Sequence, residues 1–176
     1  EVEALLNKID IASKNLFSGT RDFIWAIDPK NDNLREVYYN LKDFGEELFD
    51  NTGISFYASF DESEEDAVLK LPSGWSRQLV LIFKEVFTNA LKYSEATSVY
   101  MYFKVKPGSF WVEVSDNGKG FPEDQLQSLR GIKNMRERAA KLKAKLEIET
   151  RPGKGSNVRL KRKITQKGLV NIEAKY

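Results

Sequence analysis

Residues 76–93 are apolar on almost every side, and this stretch constrains the fold more than any other part of the chain. A helix with apolar residues all round its surface must be buried by other elements. We therefore predict a mostly buried helix here. Its apolar residues are Leu79, Val80, Leu81, Ile82, Phe83, Val86, Phe87, Ala90 and Leu91.

Three polar residues interrupt this apolar helix at spacings that place them on one face. Glu85, Asn89 and Lys92 stand at positions i, i+4 and i+7. A hydrated magnesium ion accepts oxygen ligands such as an amide carbonyl, and a phosphate group accepts hydrogen bonds from an ammonium. A ligand that carries both a magnesium ion and a phosphate group would supply partners for the three polar residues on this face. A solvated stripe with a Glu–Lys neighbour interaction is the alternative at this point.

The rest of the chain predicts an α+β two-layer sandwich. Alternating apolar residues predict strands at 54–60, 99–105, 110–114, 146–150 and 157–164, with a hairpin turn at 106–109. Apolar periodicity predicts helices from about Leu34 to residues 51–53, where Asn-Thr-Gly stops it, and from 131 to about 143, preceded by a short polar loop. Residues 61–66 form an acidic connection, and the tail from Thr165 has no clear pattern.

The first 27 residues predict one long helix, which stops at or before Asp28 because Pro29 follows. This helix has no partner for its apolar stripe in the sequence, so we expect it to pack against an upstream segment or another subunit. The stripe consists of Leu5, Ile9, Ala12, Leu16, Phe23 and Ile27.

Composition excludes several classes of function. The chain has neither cysteine nor histidine, which rules out disulfides, thiol catalysis and Ser-His-Asp catalysis within it. The net charge of +2 gives no reason to expect nucleic acid as a partner. No apolar run approaches the roughly 20 residues that span a bilayer. The chain begins without Met and in the middle of a helical pattern, so we interpret it as a piece of a longer protein.

Three glycine-bearing segments follow the polar helix. Residues 116–120 (DNGKG) end a strand, where an Asp can accept a hydrogen bond from an amino group such as that of adenine and glycines admit a ligand closely. Residues 131–135 (GIKNM) open a helix, whose N-terminus attracts anions. Residues 152–156 (PGKGS) join two strands. Taken singly, each segment is also compatible with an ordinary turn or helix start.

Taken together and in order, these segments resemble the four motifs of the ATPase superfamily that contains gyrase, heat-shock chaperones, histidine kinases and MutL. Residues 85–94 (EVFTNALKYS) resemble its N box. Residues 116–121 (DNGKGF), 131–139 (GIKNMRERA) and 152–156 (PGKGS) resemble its three glycine boxes. The resemblance covers about Leu71 to Arg162 and implies a Bergerat-type fold, a mixed sheet covered on one face by helices, with a long helix before it.

Two further stretches resemble a subgroup of sensor histidine kinases. Residues 134–139 (NMRERA) resemble the corresponding residues of kinases that pair with helix-turn-helix response regulators of the nitrate-response type. The short lid is also similar to the lid of those kinases. Residues 21–34 (RDFIWAIDPKNDNL) look like the junction between a dimerisation helix and the ATPase domain. This implies a partial dimerisation and phosphotransfer bundle at 1–28, a catalytic domain at 29–164 and a tail at 165–176.

The resemblance assigns ATP and Mg²⁺ as ligands. Asn89 is expected to hold Mg²⁺ through the ATP phosphates, Glu85 to orient or activate groups near the transferred phosphate, and Lys92 to contact phosphate oxygens. Tyr93 is expected to pack against adenine, with packing at the edge of the core as its alternative. Asp116 is expected to accept the adenine amino hydrogen.

The glycine boxes supply the remaining expected contacts. Gly118 and Gly120 would let base and ribose approach, and Gly155 would serve the turn beside Ser156, which stands where a threonine is usual and would support Asp116. Amides for the phosphates would come from Gly131, Ile132, Lys133 and Asn134. Leu129 departs from the family, because many relatives have a glycine at that place.

The implied function is phosphoryl transfer from ATP to a histidine outside this chain, for onward transfer to the receiver domain of a response regulator. We expect a homodimer through the parent bundle, a cytoplasmic location, and contact with neither nucleic acid nor membrane. The alternatives are a serine kinase of the anti-sigma type, a degenerate domain that binds nucleotide or partners without catalysis, and a plain interaction domain.

Overall fold

The computed structural model describes residues 28–61 and 69–163, together with nine separate positions between 2 and 27. All nine positions are helical, and three members of the predicted stripe among them, Leu5, Ile9 and Ile27, are more than half exposed. The other members of that stripe lie outside the described residues. So do most of the acidic connection, the last residue of the final predicted strand and the tail.

Three helices pack together as one layer. They are α1 (Leu34–Phe49), α2 (Trp75–Tyr93) and α3 (Arg130–Lys141). Two short 3₁₀ helices accompany them, Pro29–Asn31 and Glu123–Gln127. The second occupies a stretch that the sequence predicts as a loop. The three helices predicted after residue 28 are confirmed, with small shifts at their ends.

The five strands form one mixed sheet in the order β1-β2-β3-β5-β4. Strands β1 and β2 are parallel and the other neighbours are antiparallel. The predicted hairpin is confirmed, because Lys106 pairs with Ser109 across the turn. The architecture is therefore the predicted α+β fold. The strands are β1 (Ser55–Asp61), β2 (Ser98–Lys106), β3 (Ser109–Asp116), β4 (Lys145–Thr150) and β5 (Ser156–Lys163).

The hydrophobic core lies between the sheet and the helices. Phe83 and Phe87 of α2 meet Phe103 of β2 and Phe110 of β3 in one cluster, each at most 1% exposed. Burying an aromatic side chain of this size contributes about 1.5–3 kcal/mol. The apolar side of α2 therefore anchors the helix against the sheet, which fixes the direction in which its polar face points.

The segment before α1 is bonded to the start of α2. The Ser76 hydroxyl donates to the carbonyl of Asn31 at 2.8 Å, and the Leu71 N–H donates to the carbonyl of Asp32 at 2.9 Å. The Asn31 side-chain amide donates to the carbonyl of Trp25 at 2.8 Å. The junction is therefore tied both to the preceding helix and to the domain. Within the part of the chain that the structure covers, no helix has the length and apolar character needed to cross a membrane.

Candidate functional site

The four motifs meet at one end of the sheet. Strand β3 ends at Asp116, which is paired with Ser156 at the start of β5, and α2 ends nearby at Tyr93. The start of α3 lies over the middle of α2, where Gly131 approaches Glu85. The fold thus gathers segments that are separated by tens of residues in the sequence.

Asp116 is a partly buried carboxylate at the centre of this region. Its Oδ1 atom accepts a hydrogen bond from the Gly118 N–H at 2.9 Å. Burial raises the pKa of Asp116 above its ordinary value of 3.8, and hydrogen bonds from Gly118 and from the backbone and hydroxyl of Ser156 oppose that rise. A carboxylate held in this way is preorganised to accept a further hydrogen bond from a ligand.

Gly118 connects Asp116 to the end of the N box. A β-carbon at Gly118 would lie 2.7 Å from the Ser94 β-carbon and 2.8 Å from Asp116 Oδ1. These separations are too short for any side chain larger than hydrogen. The next residue, Lys119, donates its N–H to the Ser94 carbonyl at 2.7 Å. The absence of a side chain at Gly118 therefore allows the two motifs to bond directly.

Asn117 has a structural role that the sequence does not reveal. Its Oδ1 atom accepts hydrogen bonds from the N–H groups of Thr97 and Ser98, at 3.0 and 2.9 Å, and its Nδ2 atom donates to the Thr97 hydroxyl at 2.9 Å. The side chain thereby caps the start of β2. This fixes the position of the first glycine box on the sheet.

The first and third glycine boxes interlock through two glycines in the left-handed region. Gly120 has φ +57° and Gly155 has φ +69°. A β-carbon at Gly120 would overlap the Arg151 carbonyl, and one at Gly155 would overlap the Asp116 carbonyl. Both glycines are therefore required by backbone conformation and by close contact.

Thr150, the last residue of β4, was not among the predicted site residues. Its side chain is 4% exposed. Its Oγ1 atom lies 3.0 Å from the Phe121 nitrogen, 3.3 Å from the Gly155 carbonyl oxygen and 3.2 Å from Ser156 Oγ. One signal could have found it: Thr150 has the same strand parity as Leu146 and Ile148, so its hydroxyl points toward the interior.

The polar face of α2 carries Glu85 and Asn89, both half-buried, while Lys92 is exposed. A β-carbon at Gly131 would overlap the Glu85 carboxylate and would lie 3.7 Å from Asn89 Nδ2. The second glycine box is thus brought against the N box. Tyr93 is 64% exposed, which contradicts its alternative as a residue packed at the edge of the core.

The start of α3 differs from the prediction by one residue, and this changes which amides are available. The helix begins at Arg130, after Leu129 in an extended conformation. The Lys133 N–H donates to the Leu129 carbonyl at 3.1 Å, so the expectation that it is free for a phosphate is wrong. Asn134 lies deeper in the helix, whereas the first-turn amides of Gly131 and Ile132 have no intrahelical acceptor.

A metal ion held by protein side chains alone is not supported. Among the residues that the structure describes, no group of three or more Asp or Glu side chains is arranged to hold a metal. Magnesium commonly keeps several waters and takes one or two protein ligands plus phosphate oxygens. The amide of Asn89 beside Glu85 fits that type of site and does not fit a closed protein cage.

Comparison with known proteins agrees with this geometry. The family described as histidine kinase-, DNA gyrase B-, and HSP90-like ATPase matches residues 74–166. Sensor protein VraS of Staphylococcus aureus (strain COL) is 36% identical over 93 residues, which are 52% of this chain and 27% of that protein. VraS of Staphylococcus haemolyticus (strain JCSC1435) is 27% identical over 165 residues, 92% of this chain and 40% of that protein. The chain therefore spans less than half the length of these relatives.

Two solved structures share the fold. The histidine kinase domain of the blue-light activated histidine kinase from Erythrobacter litoralis EL346 has a TM-score of 0.60 at 22% identity, covering 75% of this chain and 63% of that one. The histidine kinase AdeS of Acinetobacter baumannii has a TM-score of 0.62 at 16% identity, covering 93% of this chain and 84% of that one.

Proposed function

Because the chain belongs to the family of histidine kinase-, DNA gyrase B- and HSP90-like ATPases, we propose that it binds Mg-ATP where its four motifs meet and serves as the catalytic domain of a sensor histidine kinase. The observation that carries this proposal is the Asp116 carboxylate, held by Gly118 and Ser156 beside closely packed glycines. The relatives named as sensor proteins do not favour the serine-kinase or degenerate alternatives.

At the adenine end, the Asp116 carboxylate accepts a hydrogen bond from the amino group of the base. Guanine has a carbonyl oxygen at the corresponding position, which a carboxylate repels, so this contact selects adenine. Gly118 and Gly120 are packed against the backbone of Ser94 and Arg151, so their contribution is to hold the loop after Asp116 in place beside the base and ribose. Tyr93 is exposed at the end of α2 and is available to pack against the base, a contact worth about 1–3 kcal/mol.

At the phosphate end, the polar face of α2 lies under the start of α3. When Mg²⁺ is bound, it neutralises the negative charge that develops on the phosphate during transfer. Asn89 is the residue that would hold it, and Lys92 would contact phosphate oxygens. The first-turn amides of Gly131 and Ile132 bind phosphate at the helix N-terminus. Glu85 orients the accepting group near the transferred phosphate.

The phosphate acceptor lies outside this chain, because the chain contains no histidine. We assign residues 1–28 to the second helix of a dimerisation bundle, 29–164 to the catalytic domain and 165–176 to a tail. The exposed Leu5, Ile9 and Ile27 support the bundle assignment, since such a stripe needs a partner helix. The parent protein is then a homodimer that transfers phosphate, in the cytoplasm, to the receiver domain of a regulator of the nitrate-response type.

Isothermal titration with Mg-ADP and Mg-GDP tests the proposal. The wild-type chain is expected to bind ADP in preference to GDP, and Asp116→Asn to lose that preference, because a charged hydrogen bond contributes roughly 1.5–3 kcal/mol. Asp43→Asn, an exposed carboxylate on α1, is the matched control and is expected to bind like the wild type. Absence of both heat and thermal stabilisation at millimolar Mg-ADP would contradict the proposal.

A further inference from the structure

We infer that Thr150 is a positioning residue whose hydroxyl holds the adenine pocket in shape around Asp116. This inference rests on the proposed function and concerns how the chain distinguishes adenine from other bases. The hydrogen bonds that the structure gives Thr150 lead to Phe121, Gly155 and Ser156. It acts through the backbone of Phe121 and the side chain of Ser156.

The first step is that an apolar residue would satisfy the packing at this position. Thr150 is the inward-facing residue that follows Leu146 and Ile148 along β4, and its side chain is 4% exposed. Valine has nearly the same shape and continues the apolar alternation. A hydroxyl buried here is unfavourable unless it forms hydrogen bonds. The reason for a hydroxyl at Thr150 must therefore lie in the groups to which it is hydrogen-bonded.

The second step is the direction of those hydrogen bonds. The Phe121 N–H donates to the Thr150 hydroxyl at 3.0 Å. The hydroxyl has one hydrogen, which it can give to the Gly155 carbonyl at 3.3 Å, to the Ser156 hydroxyl at 3.2 Å or, at the longer distance of 3.4 Å, to the Phe121 carbonyl. With either of the two shorter hydrogen bonds, Thr150 joins the segment that follows β3 to the segment at the start of β5.

The third step connects these segments to Asp116. Ser156 is the cross-strand partner of Asp116, and its backbone and hydroxyl donate to the carboxylate. Phe121 ends the loop that begins at Asp116 and packs against the core. Removal of the Thr150 hydroxyl leaves the Phe121 N–H without its acceptor and frees the Ser156 hydroxyl to rotate away. The carboxylate then keeps its hydrogen bond from the Gly118 N–H but is held less firmly on the Ser156 side, which weakens its orientation toward the base.

Two matched pairs of proteins isolate the hydroxyl. Wild type and Thr150→Val differ by a hydroxyl replaced with a methyl group, and Thr150→Ser and Thr150→Ala differ by one oxygen. Dissociation constants for Mg-ADP and Mg-GDP are measured by titration for all four, with thermal unfolding as a record of folding. Should Thr150→Val fail to fold, the Ser and Ala pair still separates the hydroxyl from the methyl group.

We expect roughly ten-fold weaker ADP binding, with a reduced ADP-to-GDP preference, in the Val and Ala variants, and near wild-type values in the Ser variant. A role in stability alone would lower the melting temperature without changing the preference between bases. An unchanged preference in Thr150→Val and Thr150→Ala therefore overturns the inference. If the wild type itself binds no ADP, the proposed function fails first and the inference fails with it.

Discussion

The α-carbon of Gly155 lies so close to the backbone carbonyl of Asp116 that a β-carbon on Gly155 would overlap that oxygen. This contact places the third glycine box directly against the residue that ends β3. The backbone of Gly155 is also in the left-handed region, at φ +69°. Two separate physical effects therefore exclude other residues at this position.

Gly155→Ala is expected to destabilise the fold by more than about 2 kcal/mol, because left-handed strain of about 1–2 kcal/mol is added to the overlap with Asp116. Gly153→Ala is the matched control. Gly153 has φ +74° and no atom within 4 Å of an added β-carbon, so only the strain applies. Urea unfolding of both variants measures the difference. Equal losses of unfolding free energy would show that the contact contributes nothing.

A second close contact, between Gly131 and Glu85, leads to a different expectation. A β-carbon at Gly131 would meet the end of the Glu85 side chain, which can move, and would not meet backbone. The Gly131→Ala variant is therefore expected to have an unfolding free energy equal to that of the wild type or up to about 1 kcal/mol higher, because alanine favours helix. Phosphoryl transfer to a histidine-bearing bundle supplied in trans is expected to fall by about 100-fold through misplacement of the carboxylate.

A double-mutant cycle separates these effects. In a Glu85→Gln background, Gly131→Ala is expected to cause little further loss of transfer, because both changes act on the same carboxylate. Urea unfolding and single-turnover transfer are measured on all four proteins. Fully additive losses would mean that Gly131 acts independently of Glu85.

The sequence was sufficient to predict the five strands and the three main helices of the domain, but not the order of the strands in the sheet. Alternation identified β2 and β3 with their hairpin, and the apolar helix α2 was found to within one residue of its start. These elements follow from local periodicity, which the chain carries in each segment. The four motifs were identified differently, by the resemblance of short segments to a known family, whose model matches residues 74–166.

The contacts between motifs could not be predicted in this way. Asn117 reads as a turn residue, yet its side chain caps β2, twenty residues earlier in the chain. Thr150 reads as an ordinary strand residue, yet it bonds to Phe121. Both roles depend on how distant loops are placed after folding. No local pattern encodes the partner of a single side chain.

Incubated with Mg-ATP alone, the chain is expected to acquire no acid-labile phosphate, because it contains no histidine to accept it. Radiolabelled ATP and acid treatment of the product provide the measurement. Addition of a histidine-bearing dimerisation helix, which we propose belongs to the parent protein, is the positive control and should give labelling on that helix. Acid-labile label on this chain by itself would contradict the assignment of the acceptor.

The final prediction concerns pH. Burial raises the pKa of Asp116 above 3.8 in the folded protein, and the hydrogen bonds from Gly118 and Ser156 only partly oppose this. The folded state therefore binds this proton more tightly than the unfolded chain does. The contribution of Asp116 to stability is greatest below its ordinary pKa and decreases as pH rises through the raised pKa.

Asp116→Asn removes this titration, so the stability of the variant relative to wild type is expected to increase as pH rises across that range and to level off above it. Urea unfolding of both proteins at a series of pH values measures the difference. The affinity of the wild type for Mg-ADP is expected to fall as pH drops through the raised pKa of Asp116, because the adenine amino group requires the ionised carboxylate. Low pH thus weakens nucleotide binding while it strengthens the contribution of Asp116 to stability. A stability difference that is independent of pH would mean that the carboxylate is no more desolvated in the folded protein than in the unfolded chain.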